Sequence, residues 1–322
     1  MNYISLLLAL FLLPLTTFAE PDKPINIISS TTVFPLTTVF SEYFGQLTRF
    51  RSPVVESYAT GHGFNLFCSK GNNPEYDMIV VPREMRSAEI VRCAQNGIGN
   101  IDSFVLGIDA IVLVRNKSAT PLNLSYTHIY KALVSHGIKD SILVKNPYNR
   151  WSQIDSSLPD IDIQIYGPTA GSGTRQALID FIIKPSCMGD AEFRNFYTDY
   201  VEADKKCSLI RTDGRFIEYD DSVGIALQKI KNESSVLAIM GYNTFMNNDN
   251  YLQAVSIESV APNAESIQKG SYTALRFVFV YYRKDLLSKT MGLKELVKEL
   301  QSDNAINDGG YLKKNGLVKA NK

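Results

Sequence analysis

Ala170-Gly171-Ser172-Gly173-Thr174-Arg175 is the stretch whose reading decides the fold. An extended run over residues 161–166 precedes it, and an apolar, helix-compatible run over residues 176–183 follows. The local order is strand, small-residue loop, helix. Glycines let the backbone approach a ligand closely. Ser172 and Thr174 add hydroxyls, and a helix start adds unpaired N–H groups at the positive end of a dipole. Arg175 adds a planar, permanently charged fork. Such a loop suits a tetrahedral oxyanion. It also suits a plain helix cap, because Gly-Ser-Gly is ordinary loop material. A P-loop needs Lys before the Ser/Thr, and none stands here. A nucleophile elbow needs Gly two residues either side of the serine, where Ala170 and Thr174 stand.

The same pattern recurs upstream. Residues 25–28 read as a strand, Ser29-Ser30-Thr31-Thr32-Val33-Phe34-Pro35 as a hydroxyl-rich loop, and residues 36–47 as a helix that Pro35 helps to start. One hydroxyl would cap that helix; four stand in a row. Residues 53–57 read as a strand, followed by Thr60-Gly61-His62-Gly63 and a helix starting near Phe64. Residues 76–81 read as a buried strand that delivers Arg83 to a loop end. Further on, residues 104–114, 236–240 and 277–282 read as strands; residues 124–134, 222–231 and 293–300 read as helices. Trp151 reads as a core or anchoring residue. Strands alternating with helices predict an α/β fold with mixed, mostly parallel sheets. Ligands in such sheets bind beyond the carboxyl ends of strands, where three of these loops lie early in the chain and the fourth lies late. A ligand held from both sides implies two lobes and a cleft.

The 322 residues suffice for two domains, and 33 basic against 33 acidic residues give no net formal charge. That argues against a broad basic surface for nucleic acid. Residues 6–13 are continuously apolar and Thr17-Phe18-Ala19 follows Pro14, the pattern of a signal peptide cut after Ala19, although no Lys or Arg precedes the run. The run is shorter than the roughly 20 residues that span a bilayer. An exported chain with four cysteines implies disulfides, and of the three connectivities the local one is expected, Cys68–Cys93 with Cys187–Cys207. The segment between the last two reads as irregular. A metal site is not expected, since no Cys-x-x-Cys occurs and His62, His128 and His136 are scattered.

These motifs resemble the periplasmic phosphate-binding proteins of bacterial phosphate ABC transporters. The resemblance is carried by residues 30–35, residues 56–64, Cys68, Arg83, Cys93 with Gly97, Tyr166-Gly167-Pro168 and Ser172-Gly173-Thr174-Arg175. Arg211-Thr212-Asp213-Gly214, Gly241-Tyr242, Val260-Ala261-Pro262 and residues 272–276 add to it. It implies a two-lobed type II periplasmic binding protein fold, with crossovers near Val114 and Ala274. Lobe one would then be residues 25–113 plus 275–322, and lobe two residues 114–274. It implies that Thr32 gives a hydroxyl and Val33 a backbone N–H. Thr60 would give a second hydroxyl, and Ser172, Gly173 and Thr174 would close the site. The implied ligand is inorganic phosphate, and the implied partner is a membrane permease served by a monomeric, cofactor-free binding protein rather than an enzyme. Sulfate, molybdate, a phosphonate or a secreted phosphatase are the rival readings.

Three positions depart from the family. Arg83 stands where many members have the Asp that accepts the proton of hydrogen phosphate, which leaves phosphate-over-sulfate selectivity open. Pro168 stands where they have an Arg, and Ser29 where they have Gly. Arg83 and Arg175 are therefore expected to carry the positive charge, with Glu56 or Asp109 as replacement acceptors.

Overall fold

Two strands, Ile101–Asn116 and Leu275–Arg283, lie side by side at the centre of the molecule, and the first runs through both halves of it. The first is long because residues 106–115 are buried without interruption and Ile111-Val112-Leu113-Val114 favours a pleated, doubly covered strand. In the computed structural model, which describes residues 23–69, 76–170, 172–219, 223–307 and 309–321, this strand changes partner along its length. Residues 101–110 pair antiparallel with Leu275–Arg283, and residues 111–115 pair antiparallel with Leu237–Gly241. The change falls at Ala110 and Ile111, a few residues ahead of Val114; the returning crossover is marked by the Ile111 N–H donating to the Ala274 carbonyl at 2.8 Å. The expected leader over residues 1–19, and Gly171 of the central loop, lie outside the described residues.

On one side of the change, β1 (Asn26–Ser30) lies parallel between β2 (Val54–Tyr58) and β3 (Met78–Val81), and β3 pairs antiparallel with Leu275–Arg283. The four residues of β3 are all buried because the sheet is covered on both faces. Met78 and Val80 pack towards α1 (Phe34–Leu47) and the C-terminal helix Leu293–Leu300. Ile79 and Val81 pack towards α2 (Thr60–Phe67) and α3 (Ser87–Gln95). This is period-two alternation with both faces apolar. On the other side, Ile165–Pro168 lies parallel between Leu237–Gly241 and Phe216–Tyr219, and Leu252–Ala254 pairs with the far end of the long strand. Trp151 is fully buried in the core on this side. The architecture is mixed α/β, parallel in the outer strands and antiparallel at the central ones.

Both expected disulfides are present. Cys68–Cys93 joins the end of α2 to α3 with Cα atoms 4.4 Å apart, and Cys187–Cys207 spans 5.8 Å. Three sequence expectations change. The segment from Cys187 to Cys207 is helical rather than irregular: Lys184–Gly189, Ala191–Phe196 and Tyr200–Cys207 follow one another. Asp190 and Asp199 cap the second and third by accepting backbone N–H groups of Glu192, Phe193 and Val201. α2 begins at Thr60, not near Phe64. Its first turn uses glycine for close packing: a Cβ on Gly63 would lie 2.9 Å from Ile28 Cγ2. The helix after the central loop does not stop at Ile183. It passes from Gly173–Leu178 through a π-helical turn, Ile179–Ile183, into Lys184–Gly189. Pro185 lacks an N–H and would crowd the Phe181 carbonyl in a regular helix; the widened turn directly precedes it.

Candidate functional site

The loop after β1 approaches the loop before Gly173. Their contact begins with a backbone fact: the N-cap of α1 is Val33, and no side chain caps that helix. The run of four hydroxyls therefore does other work. Ser29 Oγ pairs with Thr37 Oγ1 at 2.8 Å. Thr31 Oγ1 accepts the Gly173 N–H at 3.3 Å. Ser30 Oγ and Thr32 Oγ1 are buried and have no hydrogen-bond partner among the described residues. Buried polar atoms in native proteins are nearly always paired, so two orphaned hydroxyls at a loop junction point to a ligand. The approach is close enough to require glycine: a Cβ on Gly173 would lie 1.5 Å from Thr32 Oγ1.

A cleft of about 410 Å³ opens beside this junction. Thr31, Thr60, Arg83 and Arg86 line it from one side, Ser172, Gly173 and Gln176 from the other, and Arg276 from the strand Leu275–Arg283. The structure gathers Thr60, Arg83, Ser172 and Gly173 around one space. Thr32 reaches the junction, and Thr31 lines the cleft beside it. Ser172 caps its helix by accepting the Thr174 N–H at 3.2 Å. The Val33 N–H is already bonded to the Ser30 carbonyl at 3.0 Å, and its side chain is in the core.

The charges are arranged differently from expectation. Arg83 forms a two-pronged pair with Glu89, at 2.9 and 2.7 Å, and lies over the Phe64 ring. Burial tends to raise the Glu89 pKa. The Arg83 hydrogen bonds, the Arg86 N–H and both guanidinium charges outweigh that and hold it below its ordinary value. Arg175 does not line the cleft. Its guanidinium is buried 4.5 Å from the centre of the Phe216 ring, donates to the Pro168 carbonyl at 3.1 Å and meets Glu218 at 3.3 Å. Burial pushes its pKa down, with Glu218 opposing. On a helix starting at Gly173 the third residue turns to the face opposite the cleft, where Phe216–Tyr219 receives it.

Arg276, unlike Arg175, lines the cleft. It is 3 % exposed, and its Nε and Nη2 donate to Asp109 Oδ2 at 3.0 and 2.5 Å. Its Nη1 reaches the Gly173 carbonyl at 3.4 Å. The signal was present in residues 272–276, which carried the family resemblance, but nothing in a strand pattern says which strand residue faces a cleft. Glu56 accepts the hydroxyls of Tyr58 and Tyr76 at 2.6 and 2.9 Å and is not part of the cleft wall. Among the described residues no group of three His, Cys, Asp or Glu side chains is placed to hold a metal ion.

A family model described as a PBP superfamily domain matches residues 17–304. The chain belongs to the PBP superfamily. Among curated relatives, protein SphX of Synechococcus elongatus is 23% identical over 298 residues, covering 87% of this chain and 77% of that protein. The phosphate-binding protein PstS of Staphylococcus epidermidis is 23% identical over 290 residues, covering 88% and 76%. Among solved structures, an ABC-type phosphate transport receptor from Vibrio cholerae shares the fold with a TM-score of 0.60 at 19% identity, covering 91% of this chain and 99% of that one. No helix among the described residues is long and apolar enough to cross a membrane.

Proposed function

We propose that this protein captures inorganic phosphate outside the cytoplasmic membrane and delivers it to the permease of an ABC transporter. It works as a monomer without a cofactor, after loss of a signal peptide over residues 1–19. The observation that carries the reading is the buried Thr32 hydroxyl, without a partner among the described residues and set against the Gly173 backbone beside the cleft, with the equally unpartnered Ser30 hydroxyl two residues before it. Hydroxyls, a backbone N–H and a guanidinium converge there, the donor set that a tetrahedral oxyanion needs. The names of the relatives support phosphate over other oxyanions. The two sheet units act as lobes, residues 25–110 with 275–321 and residues 111–274, joined by the strand Ile101–Asn116 and by the crossover at Ala274.

Binding rather than turnover fits the cleft wall, in which the described residues include no histidine and one carboxylate, Asp180. Asp180 accepts from Gln176 Nε2 at 2.9 Å, and among the described residues no hydroxyl of the wall is hydrogen-bonded to a carboxylate or an imidazole. Isothermal titration of the mature protein with phosphate, sulfate, molybdate and a simple phosphonate tests the reading. Phosphate should bind most tightly, with no release of product from phosphate esters. Tighter binding of another anion would reassign the ligand, and steady ester hydrolysis would replace the proposal with a phosphatase.

A further inference from the structure

We infer that Arg276 is the cation that contacts the bound anion and that Asp109 is its positioning residue rather than the acceptor of a phosphate proton. The inference rests on the oxyanion-binding reading and assigns charge within it. Four arginines come near the cleft, and their surroundings separate them. Arg86 lines it but is exposed to solvent at the N-cap of α3. Arg175 is buried on Phe216 and Glu218, away from the cleft. Arg83 faces the cleft, but Glu89 takes both prongs of its fork. Arg276 sits at the start of Leu275–Arg283, opposite Asp109 and beside the point where Ile101–Asn116 changes partner; it lines the cleft and is almost fully buried.

A guanidinium carries five N–H groups. Among the described residues, Asp109 takes the Nε and one Nη2 hydrogen, and the Gly173 carbonyl takes one Nη1 hydrogen at the long distance of 3.4 Å. One hydrogen on each terminal nitrogen remains, and the weak contact to Gly173 is the one an anion would replace. Because Asp109 grips the fork on its Nε side, the two remaining hydrogens are presented as a pair, the geometry that holds two oxygens of a tetrahedral anion.

Asp109 itself stands behind Arg276. It is 2 % exposed and is not part of the cleft wall. Its Oδ2 accepts two Arg276 hydrogens and its Oδ1 accepts the Ala110 N–H at 2.9 Å. A carboxylate has about four acceptor positions, and three are occupied by donors that a proton from the ligand would have to displace. Asp180 is no substitute. It lies seven residues along the helix from Gly173, roughly 10 Å at 1.5 Å per residue.

The test is isothermal titration of the parent and variants with sodium phosphate and sodium sulfate at one pH, with circular dichroism to confirm folding. Arg276→Ala should weaken both anions at least tenfold. The double variant Arg276→Ala/Asp109→Asn should stay at least tenfold weaker, because the loss comes from the missing fork and not from an exposed negative charge. Asp109→Asn should change both affinities by the same factor, keeping the phosphate-to-sulfate ratio within about threefold of the parent. If the alanine variant fails to fold, Arg276→Lys carries the test and should weaken both anions several-fold. Parental affinity in the Arg276 variants, or its recovery in the double variant, overturns the assignment of Arg276. A tenfold selective loss of phosphate in Asp109→Asn overturns the role given to Asp109. A parent that bound neither anion would overturn the functional reading together with this one.

Discussion

At the scale of single residues, two positions in the same loop have opposite jobs. Gly173 is there because another chain segment passes where a side chain would be. Gly173→Ala forces Thr32 aside, and Thr32 is β-branched and stiff at χ1. The two loops must separate, so phosphate affinity should fall at least tenfold by titration. The melting temperature should move little, because the contact joins two units with their own cores. Arg175 stands two residues later and binds its own sheet. Arg175→Ala removes a buried cation from Phe216, the Pro168 carbonyl and Glu218. The expected loss is about 2 kcal/mol of stability, in the range for breaking a buried hydrogen-bonded network. Phosphate affinity should stay within about threefold of the parent. A large affinity loss with unchanged stability would return Arg175 to the site.

At the scale of elements, covalent and electrostatic ties fasten helices that have little core of their own. Cys187–Cys207 closes a segment with a sequence separation of 20 around three short helices. In the chain-entropy model such a loop contributes about 3 kcal/mol. Replacing both cysteines by serine should lower the urea midpoint accordingly, and an unchanged midpoint would mean that the helices stand without the tie. The tip of β3 is joined to α3 by Arg83 and Glu89. The Glu89 carboxyl titrates below its ordinary value of 4.5 in the folded protein. The ionised form is therefore the one the fold favours. Its contribution is complete above about pH 4.5 and disappears as pH falls through the lowered folded value. The difference in urea midpoint between the parent and Glu89→Gln should be constant at neutral pH and shrink in that acid window. A difference that persists below it would mean that the pair acts through packing alone.

At the scale of the whole molecule, the two sheets share Ile101–Asn116, and Arg276 in the cleft wall pairs with Asp109 beside the change of partner at Ala110 and Ile111. Motion that changes the cleft is expected to bend that strand near Ala110 and the crossover at Ala274. An anion held from both sides would favour the closed arrangement by its differential affinity. Small-angle scattering of the mature protein should show a smaller radius of gyration at saturating phosphate than without it. An unchanged radius would mean that the cleft is already closed before the ligand arrives.

Much of this was written locally. The alternation of strands and helices, the two disulfide pairs and the hydroxyl loops after strands follow from short-range rules of periodicity, cysteine count and turn chemistry. So do the aspartate caps at Asp190 and Asp199, a local helix signal inside a segment whose composition reads as irregular. What the chain alone could not show was direction. Arg175 and Arg276 are equally charged, and each is a few residues from a glycine or a strand end. Helix phase turned the first into its own sheet, and strand pairing with Asp109 turned the second into the cleft. The same holds for the hydroxyls of residues 29–32. Their number was visible, but which of them bonds within the chain and which is left without a partner depends on how closely a loop about 140 residues away approaches. That approach is set by the pairing of two sheets along one shared strand, a long-range arrangement that no local pattern encodes.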